Sequence, residues 1–162
     1  MKNNQSKKKV FKLPTLLVIF MFVVYMILLF YITFFAWNYG SSFGPTGPGG
    51  RNYNLDPFLS IYNIANYSND WVNPLRILGG NVLLFVPFGL LFSLVVERVS
   101  RSDVPTNISL VLLVSMLLSI FIEVNQFLYT FRVANIDDVI LNTTGGLIGV
   151  ILYRMLRFFK LI

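Results

Sequence analysis

The stretch LPTLLVIFMFVVYMILLFYITFFAW, residues 13–37, decides the fold class of this chain. It holds no charged residue, and about 20 mainly apolar residues are enough for an α-helix to cross the roughly 30 Å hydrocarbon core of a bilayer. Lysines precede it, as they would in a signal peptide, but the apolar run is longer than the roughly 7–15 residues of a cleaved signal. We therefore interpret it as a retained membrane anchor.

The composition of the whole chain indicates a membrane protein. Of the 162 residues, 56% are hydrophobic and only 12% are charged, and the mean hydropathy is +0.69. A soluble domain typically carries about 25% charged residues because its surface faces water. The composition thus argues strongly against a soluble enzyme and predicts a single all-α, polytopic membrane domain over residues 1–162.

Three further stretches are long and apolar enough to cross a bilayer. They cover about residues 79–96, 107–131 and 136–159. The segment between the first two spans, about residues 38–78, starts with a glycine- and proline-rich loop and then becomes aromatic. Roughly helical spacing within Tyr53–Trp71 fits a short interfacial helix, and it fits an irregular loop with interfacial aromatics equally well. The predicted architecture is four transmembrane helices with this short helix in the outer loop.

Basic residues are distributed unequally between the two sides of the predicted bundle. With the N-terminus inside, ten of the 13 lie on the inner side, and Arg51, Arg76 and Arg132 lie on the outer side. Because cytoplasmic loops carry the excess of Lys and Arg in multi-pass proteins, we predict that both termini are cytoplasmic. Since the charges lie at span ends rather than in one patch, we expect membrane lipids and not nucleic acid as partners.

The absence of two residue types restricts the chemistry. The chain has no cysteine and no histidine, which removes disulfides, thiolate nucleophiles, Cys/His zinc sites and the usual general base near neutral pH. Seven carboxylates, the basic residues, hydroxyls and amides remain. We expect no metal and no cofactor.

Polar side chains lie near the predicted outer ends of the spans. Glu123 is six residues before Tyr129, which corresponds to a depth of ~9 Å at about 1.5 Å per residue, and Asn142 has a similar depth in the fourth span. An ionisable residue at the bilayer centre costs about 2.5–3.5 kcal/mol on insertion, so one within a span suggests function. The candidate ligand-binding residues are Asn81, Glu123, Gln126, Arg132, Asp138 and Asn142.

The acidic candidates also have structural interpretations. Asn135 followed by Asp138 has the pattern of a helix cap, and Asp137 and Asp138 would both favour the positive end of a helix. Glu123 could form an ion pair with Arg132, although such a pair stabilises a bundle little once desolvation is counted.

The amides and glycines have structural alternatives as well. Asn81, Gln126 and Asn142 could hydrogen-bond between helices. Gly145 and Gly149 have the GxxxG spacing of close helix packing, which could operate within the chain or in a homo-oligomer.

Three motifs, taken in order along the chain, resemble those of the VanZ-like family of bacterial membrane proteins. The first is GNVLLFVPFG, residues 80–89, and the second is IEVNQF, residues 122–127. The third lies within residues 132–149 and has the form Asp-x-x-x-Asn-x-x-Gly. The segment NLDPF, residues 54–58, is similar to a fourth family motif. The resemblance extends over about residues 54–154.

This resemblance implies a bacterial plasma-membrane protein linked to reduced susceptibility to teicoplanin and related lipid-bearing glycopeptides. We expect it to bind a lipid-linked cell-wall precursor, or the drug itself, at the outer leaflet. The alternative is a membrane enzyme that uses Glu123 and Asp138 as a carboxylate pair, or as ligands for Mg²⁺ or Ca²⁺. Because the chain has no recognised nucleophile motif, the non-enzymatic interpretation is favoured. A small transporter is a weaker third interpretation, since no internal repeat is present.

Overall fold

The structure is a computed structural model that describes residues 14–36, 53–68, 70–101, 104–129 and 133–162. Within these ranges, four helices are long and apolar enough to cross a membrane. The predicted all-α membrane architecture is thereby confirmed. The four helices are α1 (Thr15–Tyr31), which continues as a π-helical turn (Ile32–Ala36), α3 (Val72–Ser100), α4 (Ile108–Tyr129) and α5 (Ile136–Phe158).

Three short elements lie between the long helices. They are the strand β1 (Tyr53–Asn54), the nine-residue helix α2 (Leu59–Tyr67) and the strand β2 (Ala134–Asn135). The predicted short helix of the loop is therefore present as α2. Arg132, the glycine-rich residues 40–50 and the lysines before residue 13 lie outside the described residues.

Helix α3 begins earlier than its hydropathy predicts. The helix starts at Val72 instead of near residue 79. Asp70 Oδ1 accepts a hydrogen bond from the backbone N–H of Asn73 at 2.8 Å, which satisfies one of the free donors of the first turn. Pro74 lies in the same turn, where its missing N–H costs nothing. Asn73 and Arg76 lower the mean hydropathy near the start of the helix, so hydropathy alone did not predict that it begins at Val72.

Helix α3 packs most extensively against α5, through glycines on both helices. A Cβ atom on Gly145 would lie 2.2 Å from the carbonyl oxygen of Val82, and one on Gly149 would lie 2.2 Å from that of Val86. Only glycine permits this approach of the two backbones. The predicted GxxxG seam thus packs against α3 of the same chain.

The interior of the bundle has an apolar core with a polar group at each end. Phe85 and Phe88 of α3, Leu29 of α1 and Ile122 of α4 are all buried. We call the end of the bundle that carries residues 53–68, 70–71 and 133–138 the loop end. The opposite end, with residues 97–101, 104–107 and 153–162, is the tail end.

The tail end is held together by a charged group. Arg157 Nη1 lies 2.7 Å from Glu97 Oε1, and the Tyr153 hydroxyl also donates to Glu97. Thr106 Oγ1 donates to the Ser93 carbonyl at 2.8 Å. The first two contacts join α5 to α3, and the third attaches the connector between α3 and α4 to α3.

Candidate functional site

The loop-end site begins with two strands of two residues each. β1 and β2 pair in parallel, with Tyr53 opposite Ala134 and Asn54 opposite Asn135. The Asn54 side chain is 1% exposed, and its Nδ2 donates to Asn135 Oδ1 at 3.1 Å and to Ser60 Oγ at 2.9 Å. The NLDPF motif is therefore attached directly to the residue that precedes α5.

Asp137 attaches the loop helix α2 to the bundle. Its fully buried carboxylate accepts hydrogen bonds from the backbone N–H groups of Phe58, of Ser60 at 2.8 Å and of Ile61 at 3.1 Å. These donors belong to the start of α2, where N–H groups have no partner within the helix. A carboxylate is the strongest acceptor available for them. Asp137 thus caps α2 in addition to lying in the first turn of its own helix.

Asn135 connects the two candidate carboxylates of the membrane domain. Its backbone N–H donates to Glu123 Oε2 at 2.8 Å, and its side-chain Nδ2 lies 3.4 Å from Asp138 Oδ1. Its Oδ1 accepts from the N–H of Asp137 at 3.1 Å, as predicted for a helix cap. Asn135, the last residue of β2, therefore contacts both acids.

The structure brings three predicted site residues together around Asn135. Asn81 Nδ2 donates to Asp138 Oδ1 at 2.9 Å, which links α3 to the start of α5. Glu123 is 6% exposed although it lies in a spanning helix. Asn81, Glu123 and Asp138 thus form one hydrogen-bonded group at the loop end.

Two predicted site residues make their hydrogen bonds elsewhere. Gln126 Nε2 donates to the carbonyl oxygen of Thr33 at 2.7 Å and so attaches α4 to the π-helical turn of α1. Asn142 Nδ2 donates to Ser119 Oγ at 2.8 Å, one turn nearer the tail end than Glu123. Both amides hydrogen-bond between helices, as the structural interpretation predicted. Asn142 Oδ1 is buried and has no hydrogen-bond partner in the part of the chain that the structure describes.

One predicted site residue lies outside the described ranges, and several residues of the loop-end network were not predicted from the sequence. Arg132, the predicted cationic member, lies outside the described residues. Asn54, Ser60, Asn135 and Asp137 were not in the candidate set, yet each is buried and belongs to the loop-end network. The available signals were the NLDPF motif and the position of Asn135 directly before a predicted helix.

A cavity of about 150 Å³ lies beside this network, between α4, the start of α5 and the loop. Its walls are almost entirely apolar, with Glu123 and Asn135 as the polar residues. The cavity therefore offers space for an apolar group beside the buried network. The lining residues are Leu55, Ile120, Glu123, Val124, Ala134, Asn135, Ile136 and Val139.

The chain resembles known proteins over most of its length. The model of the family described as VanZ/LLP1 matches residues 22–157. Protein VanZ of Enterococcus faecium is 30% identical over 105 residues, which are 65% of this chain and 54% of that protein. The chain thus spans about half the length of this curated relative. No solved structure matches it. The family match together with the four spanning helices shows that the chain is a multi-pass membrane protein of the VanZ/LLP1 family.

Proposed function

We propose that this protein reduces susceptibility to teicoplanin and related lipid-bearing glycopeptides. It does so by binding a lipid-linked cell-wall precursor, or the drug, at the outer leaflet. Membership of the VanZ/LLP1 family supports the resistance phenotype in this proposal. The binding site is the loop-end group of Asn81, Glu123 and Asp138 with the adjoining cavity, and the protein lies in the bacterial plasma membrane.

The burial of Glu123 is the observation that carries this proposal. Its carboxylate lies inside a helix long enough to span the membrane and is 6% exposed. An ionised residue at the centre of a spanning helix costs about 2.5–3.5 kcal/mol on membrane insertion, and a buried acid within such a helix therefore suggests function. The carboxylate accepts the backbone N–H of Asn135 at one oxygen, and a ligand that donates hydrogen bonds would use its further lone pairs.

Drug susceptibility of variants tests the proposal. Cells that express the wild-type chain are compared with cells that express Glu123→Gln or Asp138→Asn, for both teicoplanin and vancomycin. We expect each substitution to remove protection against teicoplanin, because the amide cannot replace a charged acceptor. Membrane levels of each variant are measured in parallel by immunoblot.

The matched control for these variants is Asp56→Asn. Asp56 is an exposed acid of the same loop end, so the substitution removes one charge without touching the buried group. It should leave susceptibility as in the wild type. Unchanged susceptibility in Glu123→Gln cells, with normal protein levels, contradicts the proposal.

An enzymatic function is the second candidate, and one observation favours it. Glu123 and Asp138 both contact Asn135, which gives two acids in one partly desolvated site. Such a pair can divide the roles of general base and charged partner. The test is mass spectrometry of lipid-linked precursors and of wall fragments. A modification that is present with the wild type and absent with Asp138→Asn supports the enzyme, and identical profiles exclude it.

A further inference from the structure

We infer that Asn54 is a positioning residue of the loop-end site. It fixes the orientation of the Asn135 side-chain amide, so that the N–H₂ group of that amide faces Asp138. The inference rests on the proposed function, because it gives Asn54 a role in the binding site that contains Asp138. It adds a residue of the loop between α1 and α3 to a site whose acids lie on the spanning helices.

The side-chain amide of Asn135 has two ends with opposite hydrogen-bonding properties. Its oxygen only accepts hydrogen bonds and its nitrogen only donates them, although the two ends have nearly the same size. Packing therefore does not select one orientation, and the neighbouring donors and acceptors must do so. A half-turn of the amide would place its oxygen against the Asp138 carboxylate, where two acceptors would face each other with no proton between them.

A hydrogen bond within the loop determines the orientation of Asn54. The backbone N–H of Asp56, which can only donate, donates to Asn54 Oδ1 at 3.0 Å. The amide nitrogen of Asn54 therefore lies at the other end, where it donates to Ser60 Oγ at 2.9 Å and to Asn135 Oδ1 at 3.1 Å. Asn54 thus presents a donor, and not an acceptor, to Asn135.

Further donors converge on the same oxygen of Asn135. The backbone N–H of Asp137 donates to it at 3.1 Å, and the Ser60 hydroxyl donates to it at 3.3 Å. Asn54 and Asn135 are 1% and 7% exposed, so a hydrogen bond lost here leaves a buried polar group unsatisfied. The Asp137 bond belongs to the cap of α5, whereas the bonds from Asn54 and Ser60 make the orientation of the amide depend on the loop.

The oriented amide acts on Asp138. Asn135 Nδ2 lies 3.4 Å from Asp138 Oδ1, the oxygen that also accepts from Asn81 Nδ2 at 2.9 Å. An Asn135 amide in the opposite orientation would repel this oxygen and weaken its bond to Asn81. Asn54 therefore acts on Asp138 through Asn135.

Carbon-13 NMR of the full chain in lipid nanodiscs tests the inference. The side-chain carboxyl carbons of aspartate are labelled, and the signals of Asp137 and Asp138 are assigned by substituting each with Asn. Asn54→Asp keeps the acceptor for the Asp56 N–H and replaces the donor by a second acceptor opposite Asn135. We expect this variant to shift the Asp138 signal and to lose protection against teicoplanin at a normal membrane level.

Asn66→Asp is the matched control. Asn66 is an exposed residue of α2, and its Nδ2 donates to the Tyr62 carbonyl oxygen at 2.8 Å. The same substitution therefore removes one hydrogen bond of the loop at a place that does not contact Asn135. It should leave the Asp137 and Asp138 signals and the teicoplanin susceptibility as in the wild type.

A second variant, Asn54→Ala, removes the donor without adding an acceptor. It should shift the Asp138 signal in the same direction but less than Asn54→Asp, because Asp137 and Ser60 still donate to Asn135. If Asn54→Asp does not reach the membrane, Asn54→Ala decides the test.

A purely structural role of Asn54 gives a different result. If Asn54 only holds the loop, the Asp137 signal moves, because Asp137 caps α2, and the Asp138 signal stays. That result overturns the inference. If the Asp138 signal moves as expected but Asp138→Asn cells keep full resistance, the proposed function fails and the positioning role stands. If Asp138→Asn removes resistance while neither Asn54 variant shifts the Asp138 signal, only the positioning role fails.

Discussion

Asp137 and Asp138 are adjacent acids with different surroundings. The Asp137 carboxylate is completely buried and is surrounded by backbone donors of the loop. Asp138 is half-buried and contacts the side chain of Asn81 on another helix. Since Asp137 is committed to the backbone of α2, its role is to position the loop. Asp138 is the acid of the pair that belongs to the candidate site.

Substitution of Asp137 should loosen the loop without changing the bundle. In Asp137→Asn an amide N–H₂ group faces backbone donors, and the loss of charged hydrogen bonds costs about 1.5–3 kcal/mol. We expect faster hydrogen exchange at Ser60 and Ile61 than in the wild type, with unchanged exchange in α4. Asp56→Asn is the control, because the Asp56 side chain is exposed. Wild-type exchange rates in Asp137→Asn would contradict the capping role.

For the helices, hydropathy predicted where the long ones lie in the sequence, but it did not predict which face of each helix points into the bundle. The predicted bounds of the spans that became α4 and α5 agree with the structure within two residues. The spans are apolar on nearly all faces, so the sequence does not mark which face is turned inward. For that reason it placed Asn142 at the depth of Glu123 but could not show that Ser119 is its partner.

The loop-end network was harder to predict because its partners are distant in sequence. Asn54 and Asn135 are 81 residues apart, and their hydrogen bond depends on two strands of two residues each. Strands this short have no periodic signal. The position of Glu123 inside a spanning helix needed only helix geometry, and so it could be predicted from the sequence alone.

The glycine seam gives a prediction at the level of two packed helices. In Gly149→Ala the new Cβ would meet the Val86 carbonyl oxygen at 2.2 Å, so α3 and α5 must separate. Overpacking of this kind costs about 1–3 kcal/mol. Gly79→Ala is the matched control, because its nearest neighbour beyond its own backbone is the tip of Leu75 at 3.8 Å. We expect a lower thermal midpoint in detergent for Gly149→Ala only. Equal midpoints would contradict the assigned packing.

For the molecule as a whole, the distribution of basic residues predicts which side of the membrane the loop-end site faces. The described basic residues at the tail end are Arg98, Arg101, Arg154, Arg157 and Lys160, whereas Arg76 is the described one near the loop end. The excess of basic residues predicts that the tail end is cytoplasmic. With that orientation, the loop-end site would face the outer leaflet, where we propose that the ligand binds.

Reporter fusions test this orientation directly. We expect alkaline phosphatase to be inactive when fused after Ile162 and active when inserted in the glycine-rich residues 40–50, because the enzyme folds only outside the cytoplasm. A green fluorescent protein at the same two positions should give the opposite pattern and controls for expression. If the C-terminal phosphatase fusion is active, Glu123 and its cavity belong to the inner leaflet. Binding of an outer-leaflet ligand would then be impossible at this site, even with its hydrogen bonds unchanged.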